Sequence, residues 1–494
     1  MACDDPNLPA AQMPSAFGQC ADCHAAAMDG TLGGRNLLDA TGLAYENGNH
    51  CDACHHVRDI DLTKSPGTAG ALVFQRPKEK FDQNPQSMLR QVMFGPLPDV
   101  PLVFMGGSYQ PKFSAAEFCA ACHEQKQQAL LPNSSLDAAR WPDGLPVHST
   151  FSEWANGPFN NAGTPCQFCH MPPTMGLYNT TDVADPSNAS IVFGFIRPPE
   201  QIRSHIFRSP LEGSPRLIDT AASLFMGVQA LPGELFAAIA IKNTGCGHAL
   251  PTGEPMRALL LLVRAEACGT QLSPSGGMTI SDVGGAVAEG IVGADISPLA
   301  QELSWPGAAP KAKVGDRVRA SRPTGLFDDY EGIGYFSDAM LTPAQKGMEI
   351  FEPVGETDVL AINQDKLLLS APLSLQMGDR VYLGDALAWP PLDGQASAAA
   401  AGAAGYSFAR VLVDPNGKRG VHHHRAVDIV SDNRIAPQSE AMTEHRFALP
   451  QGCAGATVEA VLLYRPIPLE MARGRGWDAH DYVIASVKES IALP

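Results

Sequence analysis

The chain has no surplus of positive charge: 35 Lys and Arg stand against 52 Asp and Glu, a formal net charge of -17 over 494 residues. A phosphate backbone would be repelled, so nucleic acid is not an expected partner, and a basic protein or a mineral surface is favoured. No apolar run is long enough to cross a bilayer, and the opening Met1-Ala-Cys3-Asp-Asp leads straight into polar sequence, so no transmembrane span is expected. Long helices are not expected either, because 47 glycines and 41 prolines punctuate the chain too often. No repeat beyond short motifs recurs, which excludes a solenoid of identical units. The hydrophobic fraction of 45% is ordinary, and the length exceeds one typical core, so two or three domains are expected.

Against that background one pattern recurs. Cys51-Asp-Ala-Cys54-His55 is matched by Cys20-Ala-Asp-Cys23-His24, by Cys119-Ala-Ala-Cys122-His123 and by Cys166-Gln-Phe-Cys169-His170. At this cysteine and histidine content chance would supply about 0.01 such matches. Zinc ribbons have no use for a histidine after each knuckle, and a thioredoxin-like redox motif occurs once. Covalent c-type haem attachment needs this spacing: two thiols add to the porphyrin vinyl groups, and the adjacent imidazole binds iron as proximal ligand. The reading is four haem c groups with His24, His55, His123 and His170 as proximal ligands.

Such attachment takes place outside the bacterial cytoplasm, so the chain is expected to be exported, to the periplasm or to the cell surface and exterior. The same oxidising setting permits a disulfide among Cys246, Cys268 and Cys453, with the pair left open and Cys3 as a further partner. Cys3 is also a candidate lipid-anchor residue.

Residues 1–212 read as the haem region, mostly loop, with short helices beginning near Ser114-Ala-Ala-Glu117 and Ser149-Thr-Phe-Ser-Glu153. Porphyrins would take the place of a side-chain core there. From about 213 the texture changes, and 235–241, 258–263, 408–413 and 458–464 read as strands. The expected class is multidomain α+β: a loop- and short-helix-rich multihaem domain, then a β-sandwich-like domain over 213–494 with a large insertion around 273–400. Within that insertion a helix is expected around 343–351 and a flexible run at Ala398–Gly405. Residues 179–190 read as a connection.

The face of each iron opposite its proximal histidine decides between electron transfer and catalysis. A second histidine closes it and a vacancy invites substrate. Distal candidates are His248, in the glycine-flanked turn Asn243–Gly253, His148 just before the fourth motif, His205 at the end of the haem region, and His56, with His50 competing for its role. His422-His423-His424 reads as a solvent-exposed loop, because consecutive residues of a strand cannot all face one ion. Met171 and Met175 read as packing.

Asn49–His56, Phe118–Glu124, His148–Trp154 with Cys166–Pro172, and Gly247–Gly253 together resemble bacterial multihaem c-type cytochromes of the envelope and exterior. They are more distantly similar to the hydroxylamine oxidoreductase and pentahaem nitrite reductase group. The resemblance covers residues 15 to about 265 and touches Asp432–Pro437. It implies closely packed haems with mostly bis-histidine ligation. No Cys-x-x-Cys-Lys motif is present, nor the cross-linking tyrosine of the oxidoreductase, so neither enzyme's catalytic haem is marked.

The expected function is electron transfer through four haems, with redox proteins or an extracellular acceptor as partners and a larger assembly or homopolymeric conductive filament as one arrangement. The alternative is a reductase of a small nitrogen or sulfur oxyanion at one five-coordinate haem. A reaction-centre tetrahaem subunit is disfavoured, since methionines do not recur at fixed offsets before the motifs.

Overall fold

The computed structural model describes residues 23–26, 40–64, 71–75, 93–99, 107–176, 197–328 and 347–493. Cys3, Cys20 and residues 179–190 lie outside them. The described chain divides into two units, one of 23–126 with 148–218 and the other of 127–147 with 219–493. No helix among the described residues is long and apolar enough to cross a membrane.

The expected α+β class is wrong. Strands occupy 41% of the residues and helix 15%, arranged in several sheets and a half-barrel. Even the first unit pairs strands, Val57–Ile60 antiparallel to Leu72–Phe74 and Met93–Gly95 parallel to Gly107–Tyr109. Its helices are short: Gly42–Asn47, Cys51–His55, Glu117–His123, Thr150–Ala155, Pro158–Asn161 and Cys166–His170. The expected helix starts near Ser114 and Ser149 correspond to the third and fourth of these.

The second unit is built on three antiparallel sheets. In the first, Ala258–Ala267 lies between Gly455–Arg465 and Gly405–Val413, with His480–Ala492 and Asp428–Asp432 flanking them. Both Ala258–Ala267 and Gly405–Val413 are buried along nearly their whole length, which suits the apolar run Ala258–Val263, while Gly405–Val413 also buries Ser407 and Arg410. The second sheet runs Pro274–Gly277, Glu440–Ala448, Glu234–Asn243, Ala222–Leu231. Glu234–Asn243 alternates strictly between buried and half-buried positions, the signature of a sheet with one covered face.

The third sheet lies within the stretch expected to be an insertion. Residues 288–384 supply all seven of its strands, with Arg317–Phe327 and Glu349–Asn363 at its centre. They close over a core of their own around Trp305, Leu303, Val318, Val381 and Leu383. The helix expected around 343–351 is strand from Glu349 onward, and 343–346 lie outside the described residues. The run expected to be flexible is core: Ala399, Ala400 and Ala401 are at most 2% exposed.

Residues 127–147 join this unit through side chains from distant sequence. Arg140 and the Trp141 indole both donate to Asp428 Oδ1, at 2.6 and 2.7 Å. Arg410 donates to the Pro146 carbonyl at 2.7 Å while holding Asp432 Oδ2 at the same distance. Burial would raise the Asp432 carboxyl, but Arg434 and Arg410 outweigh it and hold it at about 2. His445, wholly buried, is pushed down to about 4 by that burial.

Both groups make the unit acid-sensitive. Between pH 6.5 and 4 the unfolded chain binds a proton at His445 that the folded chain refuses, which removes about 3 kcal/mol as pH falls. Asp432 stabilises the fold above pH 3.8, and that contribution is lost as pH falls through 2. Calorimetric unfolding against pH should show the slope between 6.5 and 4, and His445→Gln should flatten it.

Cys268 and Cys453 form a disulfide with Cα atoms 5.3 Å apart, settling which pair closes. It links residues 185 apart in sequence, so Cys268→Ser with Cys453→Ser should cost about 5 kcal/mol by releasing the unfolded chain. Denaturant unfolding of the double variant measures this directly.

Candidate haem-binding centre

Each described motif is wound into one helical turn. Cys51 to His55 is a helix, Cys119 to His123 ends the helix Glu117–His123, Cys166 to His170 is a third, and Cys23 and His24 are helical too. Helical winding places residues i, i+3 and i+4 on one face, so both thiols and the imidazole of a motif turn toward the same side.

The motif segments interlock within their unit. Asn49, just before the second motif, donates to the Cys23 carbonyl and accepts from Ala26 N–H at 3.2 Å. Gly48 approaches the first motif so closely that a Cβ there would sit 2.9 Å from the His24 carbonyl oxygen, which is why glycine stands at this φ of +59°. Gln167, inside the fourth motif, donates to the carbonyls of Phe113 and Ala115 at 3.0 and 2.7 Å, just ahead of the third. Val57 and Ile60, following the second motif, pack against Ala121 within the third.

The sulfurs sit in the same cluster. Cys119 is pushed well above the usual thiol range by its hydrogen bond with Cys166 and by burial, and Cys122 by its bond with Cys23 and by burial. Burial also raises Cys54 and Cys169. Cys166 is moved the other way, lowered by its hydrogen bond with Cys119.

The imidazoles sort by whether Nδ1 donates to or accepts from its backbone partner. His55 Nδ1 lies 2.7 Å from the Phe94 carbonyl and His170 Nδ1 lies 2.8 Å from the Arg208 carbonyl. A carbonyl only accepts, so Nδ1 carries the proton and Nε2 keeps its lone pair for a metal. His248 Nδ1 makes the same arrangement with the Ala249 carbonyl at 2.9 Å. His56 Nδ1 donates to Asp52, 3.1 Å from its carbonyl and 2.7 Å from its carboxylate. His50 is the exception: its Nδ1 accepts from Asp52 N–H at 3.3 Å as cap of the helix Cys51–His55, which puts the proton on Nε2.

His205 is brought beside His55, far from its own neighbours in sequence, with ring centres 6.3 Å apart and planes inclined by 31°. Two imidazoles on opposite sides of one metal, each bonded at about 2 Å through Nε2, would have ring centres about 6 Å apart. The donor set and this spacing fit haem iron.

His148 directly precedes the helix Thr150–Ala155. That helix is fixed to the third motif by Glu124, the residue after His123, whose carboxylate accepts from Ser152 N–H at 3.0 Å and Ser152 Oγ at 2.6 Å. Ser149 Oγ donates to Glu153 Oε1 at 2.7 Å in the same buried network. Glu124, Gln167 and Asn49 are missed by motif reading, since each is an ordinary polar residue beside a motif until the partner segment is known.

His248 belongs to the β-rich unit. Its turn is held by Asn243, which donates to the His248 and Ile435 carbonyls at 2.9 and 3.0 Å, and by Gly245, where a Cβ would meet the Thr220 carbonyl oxygen at 2.0 Å. Glu254, in the same loop, is pushed up to about 7 by burial against the opposing pull of Arg257. The histidine run is not an exposed loop: His424 is buried, and His423–Arg425 form a 3₁₀ turn. Met175 is 73% exposed and so does not pack as expected.

No protein-family model and no curated protein matches the chain. Solved structures give likenesses, two of which follow. One is a penta-heme cytochrome c552 from Thermochromatium tepidum, at 16% identity and a TM-score of 0.47, covering 96% of this chain and 84% of that one. The other is Clostridium perfringens delta-toxin, at 9% identity and a TM-score of 0.10, covering 55% of this chain and 87% of that one. Both scores lie below 0.5, too low to transfer a fold.

Proposed function

We propose that the chain is an exported tetrahaem c-type cytochrome that carries electrons, with the four haems held by the Cys-x-x-Cys-His motifs and the irons closed by distal histidines. The observation that carries the reading is the fourfold motif, whose described residues are helical and whose segments interlock in one unit. Bound haem supplies a one-electron iron couple.

The chain's own residues do the rest. Carbonyls of Phe94 and Arg208 hold the Nδ1 protons of His55 and His170, fixing each ring with Nε2 toward iron. His205, beside His55, would supply a second imidazole to the iron that His55 would hold. His56 presents the same tautomer and is assigned as a further distal ligand, as is His148, fixed near the third motif through Ser152 and Glu124; His248 presents that tautomer too. His50 is set aside because its Nδ1 caps a helix. Closed irons keep water and substrate off the metal, which favours electron transfer over reduction of an oxyanion.

Export to the periplasm or exterior is supported by two chemistries of one kind, covalent haem attachment and the Cys268–Cys453 disulfide, both of which belong to oxidising compartments. Intact-mass measurement of the denatured protein tests the cofactor count. Four haems retained per chain are expected, and fewer would overturn the tetrahaem assignment.

A further inference from the structure

The run His422-His423-His424 plays no part in the haem assignment, and its geometry is unlike a free histidine tract. His422 caps the 3₁₀ turn His423–Arg425, with Arg425 N–H donating to the His422 carbonyl at 2.9 Å and Ala426 N–H to the His423 carbonyl at 3.0 Å. This tight turn brings residues i and i+2 together where a strand would only repeat their direction. The rings of His422 and His424 have centres 4.9 Å apart, and their Nδ1 atoms lie 2.9 Å from each other.

The His423 ring also lies against His422, with centres 4.2 Å apart, but its nitrogen is engaged elsewhere. Gln127, itself buried, donates to the His423 carbonyl at 2.6 Å and meets His423 Nδ1 at 3.1 Å. The pair formed by the outer two histidines is therefore specific. His422 Nδ1 also accepts from His424 N–H at 3.4 Å, so it carries a lone pair, and a single proton lies between the two Nδ1 atoms.

We infer that His422 and His424 form a two-nitrogen chelate for a divalent transition metal of tetragonal preference, Cu²⁺ above all, the ion replacing the proton they share. Two bonds of about 2.0–2.1 Å from nitrogens at this separation enclose about 90° at the metal. That is the angle between adjacent ligands in a square-planar or octahedral site, which copper and nickel favour, and it is narrower than a tetrahedral zinc site asks for. Imidazole suits these ions, and copper binds most strongly in the divalent series. The turn is already formed and half-buried, so little ordering is lost on binding.

Equilibrium dialysis of the oxidised, haem-loaded protein against Cu²⁺, with copper and iron counted by elemental mass spectrometry, tests the assignment. The iron count reports the haem reading separately. One copper per chain is expected, retained in His423→Ala and lost in His424→Ala. It should also be lost in His422→Asn, whose side-chain oxygen can still cap the turn and so keep it folded. No copper in the native protein, copper retained in His422→Asn, or equal loss in all three variants would overturn it, the last marking an unordered histidine tract.

Discussion

Replacing Cys51 and Cys54 together by serine should remove one haem from the intact mass and unfold the segments built around it. Val57 and Ile60 pack on Ala121, and Asn49 ties the second motif to the first, so the loss should not stay local. Amide exchange across Val57–Ile60 and Glu117–His123 should accelerate roughly a hundredfold, equivalent to about 3 kcal/mol of local stability. Exchange in Ala258–Ala267 and Gly455–Arg465 should be unchanged, because those strands draw on the core of the other unit. Four haems in the variant would mean that the motif is not an attachment site.

His205→Ala carries the second large effect. The ring centres of His55 and His205 are 6.3 Å apart, so removing His205 opens one iron and leaves the other three closed. One quarter of the iron should turn high-spin in the oxidised protein, and the reduced protein should gain one carbon monoxide site. His50→Ala serves as the contrast. Its Nδ1 caps a helix, so that variant should lose about 1 kcal/mol of stability with no change in spin state. An unchanged spin count in His205→Ala would reduce the proximity to packing.

The attachment chemistry was legible in the sequence because the spacing of Cys-x-x-Cys-His is itself the mechanism. So were the strands at 235–241, 258–263, 408–413 and 458–464, whose apolar content follows directly from being half or wholly buried in a sheet. The third sheet was not. Its longest strand, Glu349–Asn363, contains Pro353 and Gly355, residues that ordinarily end strands. The register across to Arg317–Phe327 shifts between Ala320 and Ser321, next to that pair, so the irregularity absorbs both breakers.

Ala398–Gly405 misled for a related reason. An alanine- and glycine-rich run looks flexible when read alone, yet small side chains are what the site demands. A Cβ on Gly402 would lie 2.8 Å from Arg319 Cβ and 2.9 Å from the Tyr382 ring. Gly405 approaches the Leu261 carbonyl more closely still.

At the centre, residue types pointed to candidate histidines but not to which of them lie together. Folding brings His205 beside His55, and Asp52 engages Nδ1 of both His50 and His56, through its N–H at His50 and its oxygens at His56. A three-residue histidine run carries no sign of whether it lies in a strand or a 3₁₀ turn, and the turn is what joins His422 to His424.

The central claim is a chain of four closed irons. Low-temperature electron paramagnetic resonance on the oxidised protein, with high-spin and low-spin iron integrated against the total, tests it most directly. All four irons should be low-spin. A full equivalent of high-spin iron would mean one open haem, contradict the electron-carrier assignment, and turn attention to small oxyanion substrates.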